Sequence, residues 1–187
     1  MQFGFSIAKA DYLFIEPRSN INTWVKNQQL PTFKEWKQAQ QKLQKSIEIT
    51  PKNPVLHEYM ASLYSIRGTH YWLNETLRNA YFLDALDHQN ISLDLRPING
   101  RTWAGKALSL HALNYDEKLL IEAMTNAIKY SPYDKGVQKQ IISIATSRWV
   151  RMPSNIQKWA ISLYADIPTR NRLRLDELSN QFQVKLN

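Results

Sequence analysis

Hydrophobic and polar residues alternate along this chain with the period of a helix, not of a strand. In "WKQAQQKLQKSIEITPKNP", Ala39, Leu43 and Ser46 fall at helical spacing ahead of Pro51. In "YFLDALDHQNISLDLRPING", Ala85, Gln89 and Ser92 stand at the same offsets ahead of Pro97. In "LLIEAMTNAIKYSPYDK", Ala123, Ala127 and Tyr130 take the corresponding part ahead of Pro132. Each proline is expected to end its helix, because its ring cannot continue the hydrogen-bond ladder and pushes the preceding residue out of the α region. A new helix is predicted shortly after each one: "PVLHEYMASLYSIRG", "GRTWAGKALSLHAL" and "KGVQKQIISIATSRWV". Ala61, Ala107 and Ile142 near their middles let a second helix approach, and Leu63, Tyr64, Leu108, Leu110 and Ile144 supply the apolar body.

Recurrence of this kind is the mark of a repeat architecture. Pro97 and Pro132 are 35 residues apart, close to the roughly 34-residue tetratricopeptide period. Pro51 and Pro97 are 46 apart, which predicts a lengthened helix or loop around "THYWLNETLRNAYFLDAL". Trp103, Ala107 and Pro132 match the Trp, small residue and terminal Pro of that repeat, whereas Lys106-Ala107 replaces its Leu-Gly pair. The expected fold is therefore all-α: a tetratricopeptide-like helix-turn-helix array forming a short right-handed superhelix. It is expected as one domain over 1–187, with an N-terminal helical segment (1–30), degenerate repeats (31–152) and capping helices (153–187). Residues 5–29 read as helix broken near Pro17, with "SNIN" as an N-cap region. Gly68 reads as a helix end. Residues 154–165 read as a helix capped by Ser154, with an apolar stripe of Ile156, Trp159, Ala160, Leu163 and Tyr164. Residues 168–186 read as a terminal capping helix, of the sort that arrays need to cover their last apolar face.

Charge changes the picture only partly. The formal net charge is +8, concentrated in two segments. Residues 18–52 hold seven Lys/Arg against two Glu, and residues 147–174 hold six against one Asp. Both are read first as solvated helix faces and second as surfaces for a polyanion, an acidic polysaccharide or nucleic acid. No base-reading motif accompanies them, so nucleic acid is not the expected partner. There is no Cys, so disulfides, thiolate metal sites and a Cys nucleophile are excluded. No run reaches the roughly 18 apolar residues of a membrane span. Lys9 and Asp11 interrupt "MQFGFSIAKADYLFIEP", so it does not read as a complete signal peptide.

Catalytic chemistry finds little purchase. His57, His70, His88 and His111 lack metal-ligand spacing, and His57-Glu58 lacks the second His of a zincin. Asp84, Asp87 and Asp94 lack the glycine and acidic spacing of a calcium loop. Gly100 and Gly105 are isolated and form no phosphate loop, and there is no Gly-x-Ser-x-Gly elbow. Asn74 and Asn90 open glycosylation-type tripeptides, which also arise by chance. No catalytic residue, cofactor or metal is expected, and the chain is read as non-enzymatic. Binding is what stacked helix pairs offer, through the groove lined by the first helix of each pair. On the predicted phase Glu58, Ser62, Arg101, Leu108, His111, Lys139 and Ser143 project into that groove.

Two stretches carry a resemblance. Arg96-Pro97 followed by Trp103-Ala104, Pro132-Tyr133-Asp134 followed by Val137-Gln138, and a closing Trp149 are similar to the tetratricopeptide-like polysaccharide biosynthesis family of Gram-negative bacteria known as VpsP. The likeness extends more loosely over residues 30–155. It implies a part in exopolysaccharide biosynthesis or export, with protein subunits of that machinery as partners. It also implies a periplasmic, inner-membrane-associated location, with a cytoplasmic one as the alternative. Membrane contact is expected only through an anchor that these residues do not supply. The family brings no catalytic residues. The matched positions are structural, with Trp103 and Trp149 as packing wedges and Pro97 and Pro132 as helix stops.

Overall fold

The computed structural model describes residues 2–166, 176, 177, 180 and 181. They form α1 (Gln2–Asn27), α2 (Phe33–Ile49), α3 (Pro54–His70), α4 (Glu75–Leu95), α5 (Gly100–Ala112), α6 (Glu117–Tyr130), α7 (Lys135–Ser147), a 3-10 turn (Trp149–Arg151) and α8 (Ser154–Asp166). There is no strand among the described residues, so the chain is all-α as expected. Of the capping helix expected over 168–186 only residues 176, 177, 180 and 181 are described, all four helical, and the Tyr164 side chain lies outside the described residues.

The three prolines end their helices in one geometry. The C-cap residues Thr50, Arg96 and Ser131 have φ/ψ of −131°/69°, −145°/77° and −143°/56°, and each donates its backbone N–H to the carbonyl four residues back. Two residues beyond each proline comes an Asx cap. Asn53 Oδ1 accepts from Val55 N–H at 3.1 Å, Asn99 Oδ1 from Arg101 N–H at 3.2 Å, and Asp134 Oδ1 from Gly136 N–H at 2.9 Å. The helices then begin at Pro54, Gly100 and Lys135, where the sequence pattern places them. Six residues beyond Pro51, His57 Nε2 meets the proline's carbonyl at 3.0 Å. Six beyond Pro132, Gln138 Nε2 donates to that proline's carbonyl at 2.7 Å. The strap therefore recurs with different chemistry. The offsets ahead of the prolines also recur: Ala39, Leu43 and Ser46, and Ala85, Gln89 and Ser92, are all buried. In the third segment the residues at those offsets are Leu120, Met124 and Ala127, each fully buried, whereas Tyr130 is only half-buried.

The chain forms two compact units, residues 1–98 with 112–114 and residues 99–111 with 115–187. In the first, α1 packs along α2, α3 packs on both, and α3 and α4 form a long hairpin. Its core joins Phe14, Ile21 and Trp24 of α1 to Trp36, Leu43 and Ile47 of α2 and to Leu56, Met60 and Leu63 of α3. The long spacing from Pro51 to Pro97 is absorbed by helix: α3 and α4 have 17 and 21 residues, against 13 and 14 in α5 and α6. In the second unit α7 packs on α6 and α8. Ile142 and Ala160 are fully buried there beside Trp149, Trp159 and Leu163.

Three expectations are corrected. The helix does not break at Pro17: α1 continues through it. A proline inside a helix costs ~3 kcal/mol. Here the ring lies on the buried stripe Ala10, Phe14, Pro17, Ile21 and Trp24, whose packing on α2 and α3 offsets the lost hydrogen bond, and "SNIN" lies within α1. Ser154 is the first helical residue of α8 and not a cap before it. Gly68 does not end α3, which runs on to His70. Its place follows from close approach, since a Cβ there would meet the Phe82 ring at 2.8 Å. Gly68→Ala is expected to destabilise by ~1–3 kcal/mol through overpacking. In a urea-unfolding double-mutant cycle with Phe82→Leu the combined loss should be less than the sum; strict additivity would refute the close-approach reading.

Candidate functional site

The first unit carries a continuous row of aromatic side chains. Tyr64 and Arg67 of α3 and its C-cap residue Tyr71 fall at helical spacing, and Tyr81, Asp84 and His88 do the same on α4. The two helices run antiparallel as neighbours, so the sets interleave. Tyr71 stacks on Tyr81 at 5.8 Å, Tyr81 lies 6.5 Å from Tyr64, Tyr64 stacks on His88 at 5.9 Å, and His88 lies 5.2 Å from His57. From α2, Trp36 meets Tyr64 and Tyr81 edge-on and stacks with Phe33. The buried Trp36 indole donates to the Leu63 carbonyl at 3.0 Å. A capping box fixes this end of α2: Thr32 Oγ1 accepts from Glu35 N–H, and the Glu35 carboxylate accepts from the Thr32 N–H and hydroxyl. Those bonds hold the Glu35 carboxyl below its ordinary pKa.

At the end of this row sits a buried cation. Arg67 is 4% exposed. Its guanidinium lies 5.3 Å from the Phe33 ring, 5.7 Å from Trp36 and 6.0 Å from Tyr71. Its buried Nε has no hydrogen-bond partner, and no carboxylate pairs with it among the described residues. Ring faces stabilise a cation, but buried charges are ordinarily paired as well. In the middle of the row, Tyr64 is held above its ordinary pKa by burial and then by Asp84. Asp84 is itself raised by burial and by Asp87.

The histidines make a second constellation. Pro51's carbonyl can only accept, so His57 Nε2 carries a hydrogen; the Nδ1 atoms of His57 and His88 lie 3.0 Å apart and share one more. Burial, then the neighbouring His57, pushes His88 down to about 4, against a smaller upward pull from Asp87. In the second unit, Arg148 Nε donates to His111 Nδ1 at 3.0 Å. Burial, then the Arg148 charge, pushes His111 down to about 4.

The residues predicted for a groove fall in different settings. Glu58 is half-buried and accepts from Ser92 Oγ at 3.1 Å and from Arg96 at 2.5 Å, tying α3 to the end of α4. Ser62 donates back to the Glu58 carbonyl at 2.9 Å. Arg101 pairs with Asp134 at 2.6 Å, which, with the backbone bonds of the α7 cap, holds that carboxyl below its ordinary pKa despite burial. Leu108 is half-buried, and His111 is taken by Arg148. Lys139 and Ser143 are exposed one turn apart on α7. Glu58 and Ser62 come together in the first unit; the other five belong to the second. Trp36, Arg67, Tyr81 and the His57–His88 contact were not among the residues expected from the sequence. The i, i+3, i+7 spacing of Tyr64, Arg67 and Tyr71, repeated in kind at Tyr81, Asp84 and His88, was the signal available for them. Asp84, Asp87 and Asp94 lie on the helix α4, and Asn74 serves as its N-cap. No protein-family model matches the chain, and no curated protein does.

Proposed function

We propose that this chain is a non-enzymatic interaction module, built of tetratricopeptide-like helical hairpins, that holds protein subunits of a bacterial exopolysaccharide synthesis or export machine together. The observation that carries this reading is the thrice-repeated junction of helix, proline, Asx cap and helix. Within the first unit each helix also packs on its sequence neighbour, and α3 packs on α1 as well, the nearest-neighbour pairing on which repeat architectures depend. Such hairpins leave some helix faces free for a partner; beside the aromatic row, which is packed on the core of the first unit, the exposed Phe33 belongs to such a face. The process, and a place at the periplasmic side of the inner membrane, come from the sequence resemblance.

Deleting the gene is expected to abolish or strongly reduce exopolysaccharide, and a membrane-anchored copy should restore it while co-purifying with synthesis or export subunits. Unchanged polymer amount and chain length in the deletion strain would overturn the assignment to this process. A second reading, polyanion binding, is favoured by the exposed lysines of α2, among them Lys34 and Lys37. Salt separates the two, because polyanion affinity falls steeply as salt rises.

A further inference from the structure

Arg67, 4% exposed and with its Nε buried without a hydrogen-bond partner, is the feature that the fold itself does not explain. A buried charge without a counter-ion is costly, and replacing such a group with an apolar side chain of similar volume commonly stabilises a protein. Here the position next to it is arranged to change. The Phe33 ring lies 5.3 Å from the guanidinium, yet Phe33 as a residue is 61% exposed, and it is the first residue of α2. Rotation of that side chain would give up its stacking on Trp36 and uncover one face of Arg67. The surroundings favour an anion: Lys34 and Lys37 are exposed on the same turns. Glu35, the acidic group among them, is engaged by Thr32.

We propose that Arg67 anchors a docking site for an acidic segment of a partner protein, a Glu or Asp carboxylate of which enters beneath Phe33 and takes the unused guanidinium donors. The chemistry selects a peptide over a sugar acid. A Glu or Asp side chain presents its carboxylate on a methylene stem, which can lie against Trp36 once Phe33 has swung aside. A uronic acid carries its carboxylate directly on the sugar ring, so the bulkier ring would have to follow it into the gap that the Phe33 side chain leaves. The guanidinium fork then gives the paired hydrogen bonds that make Arg–carboxylate contacts strong, and Lys34 and Lys37 add long-range attraction around the entrance.

This inference rests on the interaction-module reading, and one set of titrations tests it. A short Glu-rich peptide is titrated into the full chain, with Trp emission as the signal because Trp36 lies 5.7 Å from the guanidinium. The wild type is expected to bind. Arg67→Met should weaken binding by roughly tenfold or more while raising the unfolding temperature. Arg67→Lys should also weaken it, since an ammonium cannot present the fork. Phe33→Ala should keep or improve binding, and because Phe33 is exposed this variant remains informative if substitutions at 67 impair folding. Equal affinity of wild type and Arg67→Met for the peptide overturns the site, as does the absence of binding by wild type and Phe33→Ala alike. Binding of a polyuronate oligomer with the same Arg67 dependence, and not of the peptide, overturns the choice of partner. If Arg67→Met still co-purifies with the export subunits that the wild type holds, the site fails while the module reading stands. If the wild type holds none, the module reading fails first.

Discussion

Lowering the pH from 7 to 5 is expected to destabilise each unit by ~1–2 kcal/mol through one histidine apiece. His88 in the first unit and His111 in the second are both held near pKa 4, below the ordinary 6.5. As pH falls below about 6.5 the unfolded chain takes up protons on these rings and the folded chain does not, so stability drops. The loss is complete near pH 4, where the folded rings also protonate, and stability is flat above pH 7. The size is set towards the low end because neither ring is fully buried, and solvent screens part of the effect. In the first unit the cause is geometric as well as dielectric. The Nδ1 atoms of His57 and His88 are 3.0 Å apart, and hydrogens on both would face each other. In the second, an imidazolium at His111 would give up its acceptor to Arg148 and face a like charge. Urea midpoints measured from pH 7.5 to pH 4.5 check this. His111→Asn and His88→Asn should each remove part of the slope, and a pH-independent midpoint over that range would refute the assignment.

Trp36→Ala is expected to cost ~3–5 kcal/mol, the range for deleting a large buried aromatic side chain. Trp36 is 5% exposed and meets Phe33, Tyr64, Tyr81 and the Arg67 guanidinium. Its loss leaves a cavity between α2 and the α3–α4 hairpin and removes one wall of the Arg67 cage. Trp36→Phe keeps much of the volume but loses the indole bond to Leu63, which is worth about 1 kcal/mol net. Urea unfolding of the two variants should therefore rank Ala well below Phe, with the near-ultraviolet circular dichroism of the aromatic row collapsing only in the Ala variant. A Trp36→Ala protein within 1 kcal/mol of wild type would mean that these rings contribute little to the unit, against the range expected for core aromatics.

Local chemistry is what the sequence displayed well. The starts of α3, α5 and α7 were legible because a proline stop is decided within a few residues of chain; the Asx caps between stop and start came from the structure. The buried offsets ahead of Pro51 and Pro97 were legible because helix period converts spacing into a face. Pro17 misled for the complementary reason: its local cost is real, but the burial of Phe14, Ile21 and Trp24 on other helices outweighs it. The same holds for Gly68, whose meaning lies in Phe82 across the hairpin.

By itself, then, the sequence determined the all-α class, the three proline junctions and the absence of any cysteine-based chemistry, because each depends on residue type and short-range geometry. Only the tertiary structure decided which polar groups are buried against one another. His57 and His88 are 31 residues apart in sequence, and His111 and Arg148 are 37 apart. Arg67 reads as an ordinary surface residue of α3 until Phe33 and Trp36 of α2 close over it. Spacing shows that side chains share a helix face; it does not show what that face meets. That depends on how neighbouring helices pack, and it is there that burial leaves an arginine with no carboxylate beside it among the described residues and makes a histidine resist protonation.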